Sequence, residues 1–164
     1  MSLRLIAGWA LSTLAVPAAS QGLPPATPDE ILAAARSCAA ATSSAGLDLK
    51  KLEADGWGKA SMSADGKPVA TPLTFYNKGH LLLAYNSGSA KPFCIFTGRI
   101  ASAAEFRNLQ AAFASSFGAP VKDDGKGEQL FLSPDRHIVD LASTGTADRP
   151  AVRVAVGPVV QEAK

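Results

Sequence analysis

An apolar leader at the start of the chain limits the part that can fold to the residues after it. Arg4 is its one charge, residues 5–16 are almost entirely apolar, and Ala18-Ala19-Ser20 offers the small side chains that signal peptidase requires. The apolar run is shorter than the roughly 20 residues needed to span a bilayer. We therefore expect residues 1–20 to be a signal peptide, cleaved after Ser20, and the mature chain to be periplasmic or secreted.

The mature chain carries little net charge. The full sequence of 164 residues has a formal charge of +2, and loss of Arg4 with the leader leaves +1. Acidic and basic residues are interspersed, whereas a nucleic-acid-binding domain concentrates basic residues on one face. After the leader, no apolar stretch is long enough to cross a membrane. We expect a mature chain that binds no nucleic acid and has no membrane span.

Two cysteines, Cys38 and Cys94, are the only ones in the sequence. In an oxidising compartment such a pair predicts a structural disulfide. Neither belongs to a Cys-x-x-Cys pair, which disfavours a redox enzyme. A bridge between residues 56 apart is expected to stabilise the fold by about 4 kcal/mol in the chain-entropy estimate.

Helix signals occur in three places. Thr27, Pro28 and Glu30 form the start of a first helix, with a capping box and proline at the first helical position. A second, short helix is predicted over residues 48–54. The third follows the capping box at Ser102, and its apolar face is formed by Phe106, Leu109, Phe113 and Phe117.

The remaining segments have the pattern of an antiparallel meander. Short β-prone runs are separated by turn signals at 65–66, 77–79 and 86–92, and further strands are expected at 129–132, 137–143 and 151–156. The predicted order is α-α-β-β-β-α-β-β-β, an α+β fold with two to three helices packed on an antiparallel sheet. We expect residues 21–26 to be an extended lead-in and residues 27–160 to be a single domain.

Two predicted strands do not alternate between apolar and polar residues. Leu81, Leu83, Phe93 and Ile95 are apolar where a one-sided sheet would place polar side chains, so both faces should be covered there. A Cys38–Cys94 bridge would put the first helix on the Cys94 face. The favoured interpretation is that the third helix covers the other face, giving three layers. The alternative is a face that binds a second subunit, a partner or an apolar ligand.

Catalytic and metal-binding patterns are weak. A triad could be drawn from His137, Asp140 and one of many serines, but residues three apart on a strand lie on opposite faces. His80 is the second histidine of the chain, and Asp123, Asp124 and Glu128 are the carboxylates of a polar loop with two lysines. We assign no catalytic, cofactor-binding or metal-binding residue and expect no cofactor.

These observations favour an exported, non-enzymatic domain that binds a protein or a small apolar ligand through its sheet or a hairpin loop. Two alternatives stay open: a small periplasmic hydrolase with unidentified catalytic residues, and an enzyme inhibitor or immunity-type protein. The sequence leaves the identity of the partner and the oligomeric state undetermined.

Overall fold

The computed structural model describes residues 23–64, 67–86 and 93–159. Three features predicted from sequence lie outside these residues: the signal peptide, the turn at 65–66, and most of the loop at 86–92. No helix among the described residues has the length and apolar character of a membrane span.

The helices begin where their capping signals predict. They are α1 (Pro28–Ala41), α2 (Leu49–Ala54) and α3 (Ala103–Phe117). At the start of α1 the Thr27 backbone N–H donates to Glu30 Oε2 at 2.7 Å, and the Glu30 N–H donates to Thr27 Oγ1 at 3.3 Å. This reciprocal capping box satisfies two backbone donors that the first helical turn would otherwise leave free.

Twelve strands are present among the described residues. They are β1 (Thr42–Ser43), β2 (Gly46–Leu47), β3 (Gly58–Ala60), β4 (Ser63–Ala64), β5 (Lys67–Pro68), β6 (Thr74–Lys78), β7 (Leu81–Tyr85), β8 (Cys94–Arg99), β9 (Lys122–Asp123), β10 (Glu128–Leu132), β11 (His137–Thr146) and β12 (Arg149–Pro158).

Eight of these strands form one antiparallel sheet in the order β3-β6-β7-β8-β12-β11-β10-β9. The sheet is therefore two meanders side by side, one formed before α3 and one after it. They meet where β12 pairs with β8, for example at Val154 and Phe96. The remaining strands form two small hairpins, β1–β2 and β4–β5.

The hydrophobic core lies between the helices and one face of the sheet, which we call the helix face. Both α1 and α3 pack there, and they also contact each other. Phe113 of α3 lies 5.9 Å from the ring of Phe131 on β10. Trp57 is buried against Phe96 and donates its indole N–H to Ser37 Oγ at 3.0 Å, as expected of a core residue. The sheet contributes buried side chains at Leu81, Leu83, Cys94, Phe96, Phe131, Val139, Leu141, Val152, Val154 and Val156.

The disulfide between Cys38 and Cys94 is present, with the two Cα atoms 5.6 Å apart. Both cysteines are fully buried. The bridge joins α1 to β8 and holds the first helix against the middle of the sheet, as the sequence predicted.

The predicted α+β fold class and element order are confirmed, but the three-layer arrangement is wrong. The helix α3 lies beside α1 on the helix face rather than over Phe93 and Ile95. Leu81 and Leu83 are also on the helix face, because Leu83 is paired with Phe96 and Leu81 with Gly98. The helices thus form one layer, and no described helix lies on the other face of the sheet.

Candidate functional site

The face of the sheet turned away from the helices, which we call the open face, includes apolar side chains that are exposed. A row of paired residues crosses it with one member from every strand of the sheet. This central row runs Ala60, Phe75, Ala84, Ile95, Ala155, Asp140, Leu130 and Lys122. Six of its eight members are apolar, so the alternation expected of a water-facing surface is absent here.

Several apolar side chains of the open face are accessible. Ile95 is 38% exposed and Leu132 is 48% exposed, although both lie on strands of the main sheet. Ile138 and Leu130 are half-buried beside them. Contiguous apolar area of this kind is uncommon on a protein that has no partner.

Phe93 lies immediately before the first residue of β8 and extends this surface. A methyl group built at Gly157 of β12 would overlap the Phe93 ring, so glycine is what allows the ring to lie flat on the sheet. Gly157 is paired with Ile138, which is in turn paired with Leu132. These residues form a second apolar row beside the central row.

An ion pair is embedded in the open face. Arg153 Nη2 donates to Asp140 Oδ2 at 2.9 Å, and the Asp140 side chain is only 20% exposed. Asp140 Oδ1 and Arg153 Nε are both buried, and neither has a hydrogen-bond partner among the described residues. Buried polar groups are normally paired, so these two unsatisfied atoms add to the cost of burying the ion pair.

The electrostatic environment of Asp140 is unfavourable to its charge. Burial raises the pKa of this carboxyl above its ordinary value, and Arg153 lowers it by a smaller amount. Glu128 raises the pKa further and Lys122 lowers it. A group that brought another positive donor to Asp140 would therefore stabilise the carboxylate.

Two small hollows adjoin the open face. One of about 210 Å³ is lined by Leu23, Leu82, Thr97 and Ala151 among others, at the end of β7 and β8. The other, of about 280 Å³, lies beside the edge strand β3. Sites for small molecules usually have volumes of about 300–1,000 Å³, so both hollows are small for that purpose.

His137 and Asp140, from which a triad could only be drawn on paper, are on opposite faces of the sheet, as their spacing predicts. His137 lies on the helix side, where its Nε2 is 3.0 Å from the Thr42 carbonyl oxygen, while Asp140 is on the open face. His137 Nδ1 is buried. Neither ring nitrogen is thus presented as a free base at the surface, and the structure does not bring the pair together.

His137 also lines a cleft of about 530 Å³ between the carboxyl ends of α1 and α3. Arg36 crosses this cleft and donates to Ser116 Oγ at 2.7 Å. Ser133 at its floor accepts a hydrogen bond from the His137 backbone N–H at 3.0 Å. The hydrogen bonds of these polar groups join the two helices and stabilise the β10–β11 turn.

The carboxylates of the acidic loop before β10 accept hydrogen bonds from nearby backbone N–H groups and from a side chain of β10. Asp124 Oδ1 accepts from the N–H groups of Lys126 and Glu128 at 2.7 and 2.9 Å, and these bonds lower the pKa of Asp124. Asp123 Oδ2 accepts from Gln129 Nε2 at 2.6 Å, which lowers the pKa of Asp123. Within the described ranges, no three histidine, cysteine or acidic side chains are grouped as metal ligands would be.

Comparison of the chain with protein-family models, with curated proteins and with solved structures gave no match. The proposed function therefore rests on the geometry of the chain itself.

Phe93 and Ile95 of the open face were identified from sequence, but the Asp140–Arg153 pair beside them was not. Val152, Val154 and Val156 alternate with Arg153 and Ala155 in the sequence, which indicates that Arg153 and Ala155 share the opposite face. Placing Asp140 on that same face required the pairing of β11 with β12, which the sequence pattern does not provide.

Proposed function

We propose that this chain is an exported, non-enzymatic binding module whose recognition surface is the open face. The observation that carries the proposal is the central row, which leaves Ile95 38% exposed in the middle of an eight-stranded sheet. Each apolar side chain left in water forgoes about 1.5–3 kcal/mol of burial, so a surface of this kind favours a partner.

A protein partner is favoured over a small apolar ligand. The open face is broad, and the two hollows beside it are about 210 and 280 Å³, below the usual size of a ligand pocket. Protein interfaces, in contrast, are commonly flat, with an apolar centre and a polar rim. An enzyme inhibitor or immunity-type protein is one form that such a module could take.

Export is supported by two features. The leader has the charge, apolar run and small-residue site of a signal peptide, and the buried Cys38–Cys94 disulfide suits an oxidising compartment. The hydrolase alternative has less support, because the ring nitrogens of His137 are occupied or buried at the cleft that this histidine lines.

Site-specific photocrosslinking tests the proposal. A photoreactive phenylalanine analogue would replace Ile95 on the open face or, as the control, Arg107, which is exposed on α3. The full chain would be expressed and irradiated in an exporting cell. We expect an adduct at position 95 with one protein species that also binds when purified, and no adduct at position 107. Equal labelling at both positions, or none at position 95, would contradict the proposal.

A further inference from the structure

A second cleft lies on the helix side of the molecule, between α1 and α2, and we call it the α1–α2 cleft. Its volume is about 520 Å³, which is within the range of about 300–1,000 Å³ that is usual for small-molecule sites. The one strand that contributes to its lining is β6, through Lys78, and the pairing of Lys78 with Leu81 places it on the helix face. The α1–α2 cleft is therefore separate from the open face.

Positive charge is concentrated in the α1–α2 cleft. Arg36, Lys51 and Lys78 line it, and Asp55 is the one acidic residue among its lining residues. The cleft thus has an excess of two positive charges, although the mature chain as a whole is expected to carry a formal charge of only +1. A concave surface with an excess of one sign of charge raises the local concentration of ligands of the opposite sign.

A hydrogen-bonded network connects the core to the cation at Lys78. The buried Trp57 donates its indole N–H to Ser37 Oγ at 3.0 Å. The Ser37 hydroxyl is in turn hydrogen-bonded to Asp55, and Asp55 Oδ2 accepts from Lys78 Nζ at 2.7 Å. The hydrogen bond from Lys78 is the main cause that lowers the pKa of Asp55, so this carboxylate is charged at neutral pH. The network therefore fixes the Lys78 ammonium at the cleft.

The three cations keep donors for a ligand. Arg36 Nη2 donates to Ser116 Oγ at 2.7 Å, which holds the guanidinium across α1. Guanidinium and ammonium groups have more N–H donors than these single bonds use. Lys51 is exposed and takes part in neither of the two ion pairs of the described residues. Because Arg36 and Lys78 are already held in place, binding a ligand costs less conformational entropy there.

We propose that the α1–α2 cleft binds a small organic phosphate, with the phosphate group held by Arg36, Lys51 and Lys78. A phosphate monoester carries a charge of about −1.5 to −2 at neutral pH, which matches the excess charge of the cleft. Its oxygens suit the planar fork of arginine and the point charge of lysine. The exposed methyl groups of Ala33 and Ala40 line the same cleft and contact the organic part of the ligand.

Calorimetric titration of the purified, disulfide-bonded chain with phenyl phosphate at low salt and neutral pH tests the proposal. We expect one saturable site. Phenyl sulfate has nearly the same shape but a smaller negative charge, and it is expected to bind about tenfold more weakly. Inorganic phosphate should also bind more weakly, because it has no organic part to contact the alanines. Equal affinities for the three probes would overturn the proposed ligand class.

Neighbouring lysines of α2 provide a matched pair of variants. Lys51→Gln is expected to weaken phenyl phosphate binding about tenfold, because it removes a charged donor from the cleft. Lys50→Gln removes the same charge from an exposed residue of α2 that does not line the cleft, and it should leave the affinity within about twofold. Circular dichroism would establish that both variants are folded. Equal weakening in both variants would show that only the net charge of the chain matters.

Nuclear magnetic resonance would locate the site. In the ¹⁵N-labelled chain, we expect phenyl phosphate to shift the amide signals of residues 33–40 and 51–55 and to leave those of β11 and β12 unchanged. Absence of saturable binding, or shifts confined to other residues, would overturn the site. Neither result affects the proposed function, because the open face is tested separately by the adduct at position 95.

Discussion

Gly98 on β8 and Leu81 on β7 are paired on the helix face, and their packing leaves no room for a larger residue at position 98. A Cβ added at this position would overlap Leu81 Cδ2, and Leu81 is only 1% exposed. The Leu81 side chain would have to shift within the packed core to make room for it. Glycine is therefore needed here for packing, since its φ is not in the left-handed region.

We predict that Gly98→Ala lowers the free energy of unfolding by about 1–3 kcal/mol, because it overfills a packed core. Urea denaturation would measure the change. Gly58→Ala on the edge strand β3 is the matched control, since the nearest atom there would be Asn77 Oδ1 at 3.4 Å. That variant should remain within about 0.5 kcal/mol of the wild type. Equal effects of the two substitutions would show that crowding at Leu81 is not the cause.

At the scale of single elements, the starts of the helices were the most predictable part of the fold. Their signals are local: a side chain that accepts from the third residue of the helix, and a charge close to the free N–H groups. Local signals do not determine the side of the sheet on which a helix packs. The phenylalanine stripe of α3 indicates which side chains are buried but not which sheet face they meet. That choice depends on the path of the chain from β8 through α3 to β9.

The strand β7 illustrates a second limit. All residues from Leu81 to Ala84 are apolar, so the pattern does not indicate which of them share a face. Pairing with β8 decides it: Leu81 and Leu83 are buried on the helix face, and Leu82 and Ala84 are on the open face. The sequence therefore predicted Phe93 and Ile95 of this face correctly, but it did not show that Leu82 and Ala84, rather than Leu81 and Leu83, accompany them.

The capping box of α1 predicts a dependence of stability on pH. Hydrogen bonding from the Thr27 backbone N–H is the main cause that lowers the pKa of Glu30 below 4.5. The native state therefore binds this proton less tightly than the unfolded state. The resulting stabilisation is fully present above pH 4.5 and is lost as the pH falls through the lowered pKa.

Glu30→Gln is therefore expected to lower the free energy of unfolding by about 0.3–1 kcal/mol at neutral pH, and the difference from the wild type should vanish in acid. Urea denaturation at a series of pH values would measure it. Ser102→Ala serves as the control, because it removes the capping hydroxyl that accepts from the Glu105 N–H at the start of α3, and its cost of about 1 kcal/mol should persist across the series. A Glu30→Gln difference that does not change with pH would contradict the assignment.

For the molecule as a whole, the decisive feature is the position of β12. It is the last strand of the described chain, yet it lies in the middle of the sheet, paired with β11 on one side and β8 on the other. Val152, Val154 and Val156 of this strand are fully buried under the helices. The two meanders share no other described strand pairing, so β12 is what makes them one sheet.

We predict that a chain ending at Ala147 loses cooperative unfolding, although it keeps all three helices and most of the strands. Without β12, β8 and β11 each have an unpaired side, and the core under α1 loses its central strand. Urea denaturation followed by circular dichroism would test this. A chain ending at Val159, the last described residue, should unfold like the full chain. A steep transition in the shorter chain would show that one meander folds alone.

If the chain is exported as we propose, the disulfide affects the order of folding events during export. A chain that crosses the membrane from its amino end presents Cys38 and then Cys94 to the oxidising compartment before residues 149–158 arrive. The bridge can therefore close on the first meander alone and fix α1 over it. Until β12 follows, however, one side of β8 stays open to strands from other chains. In an exported chain, early closure of the bridge would hold α1 against the first meander before β12 is available to pair with β8.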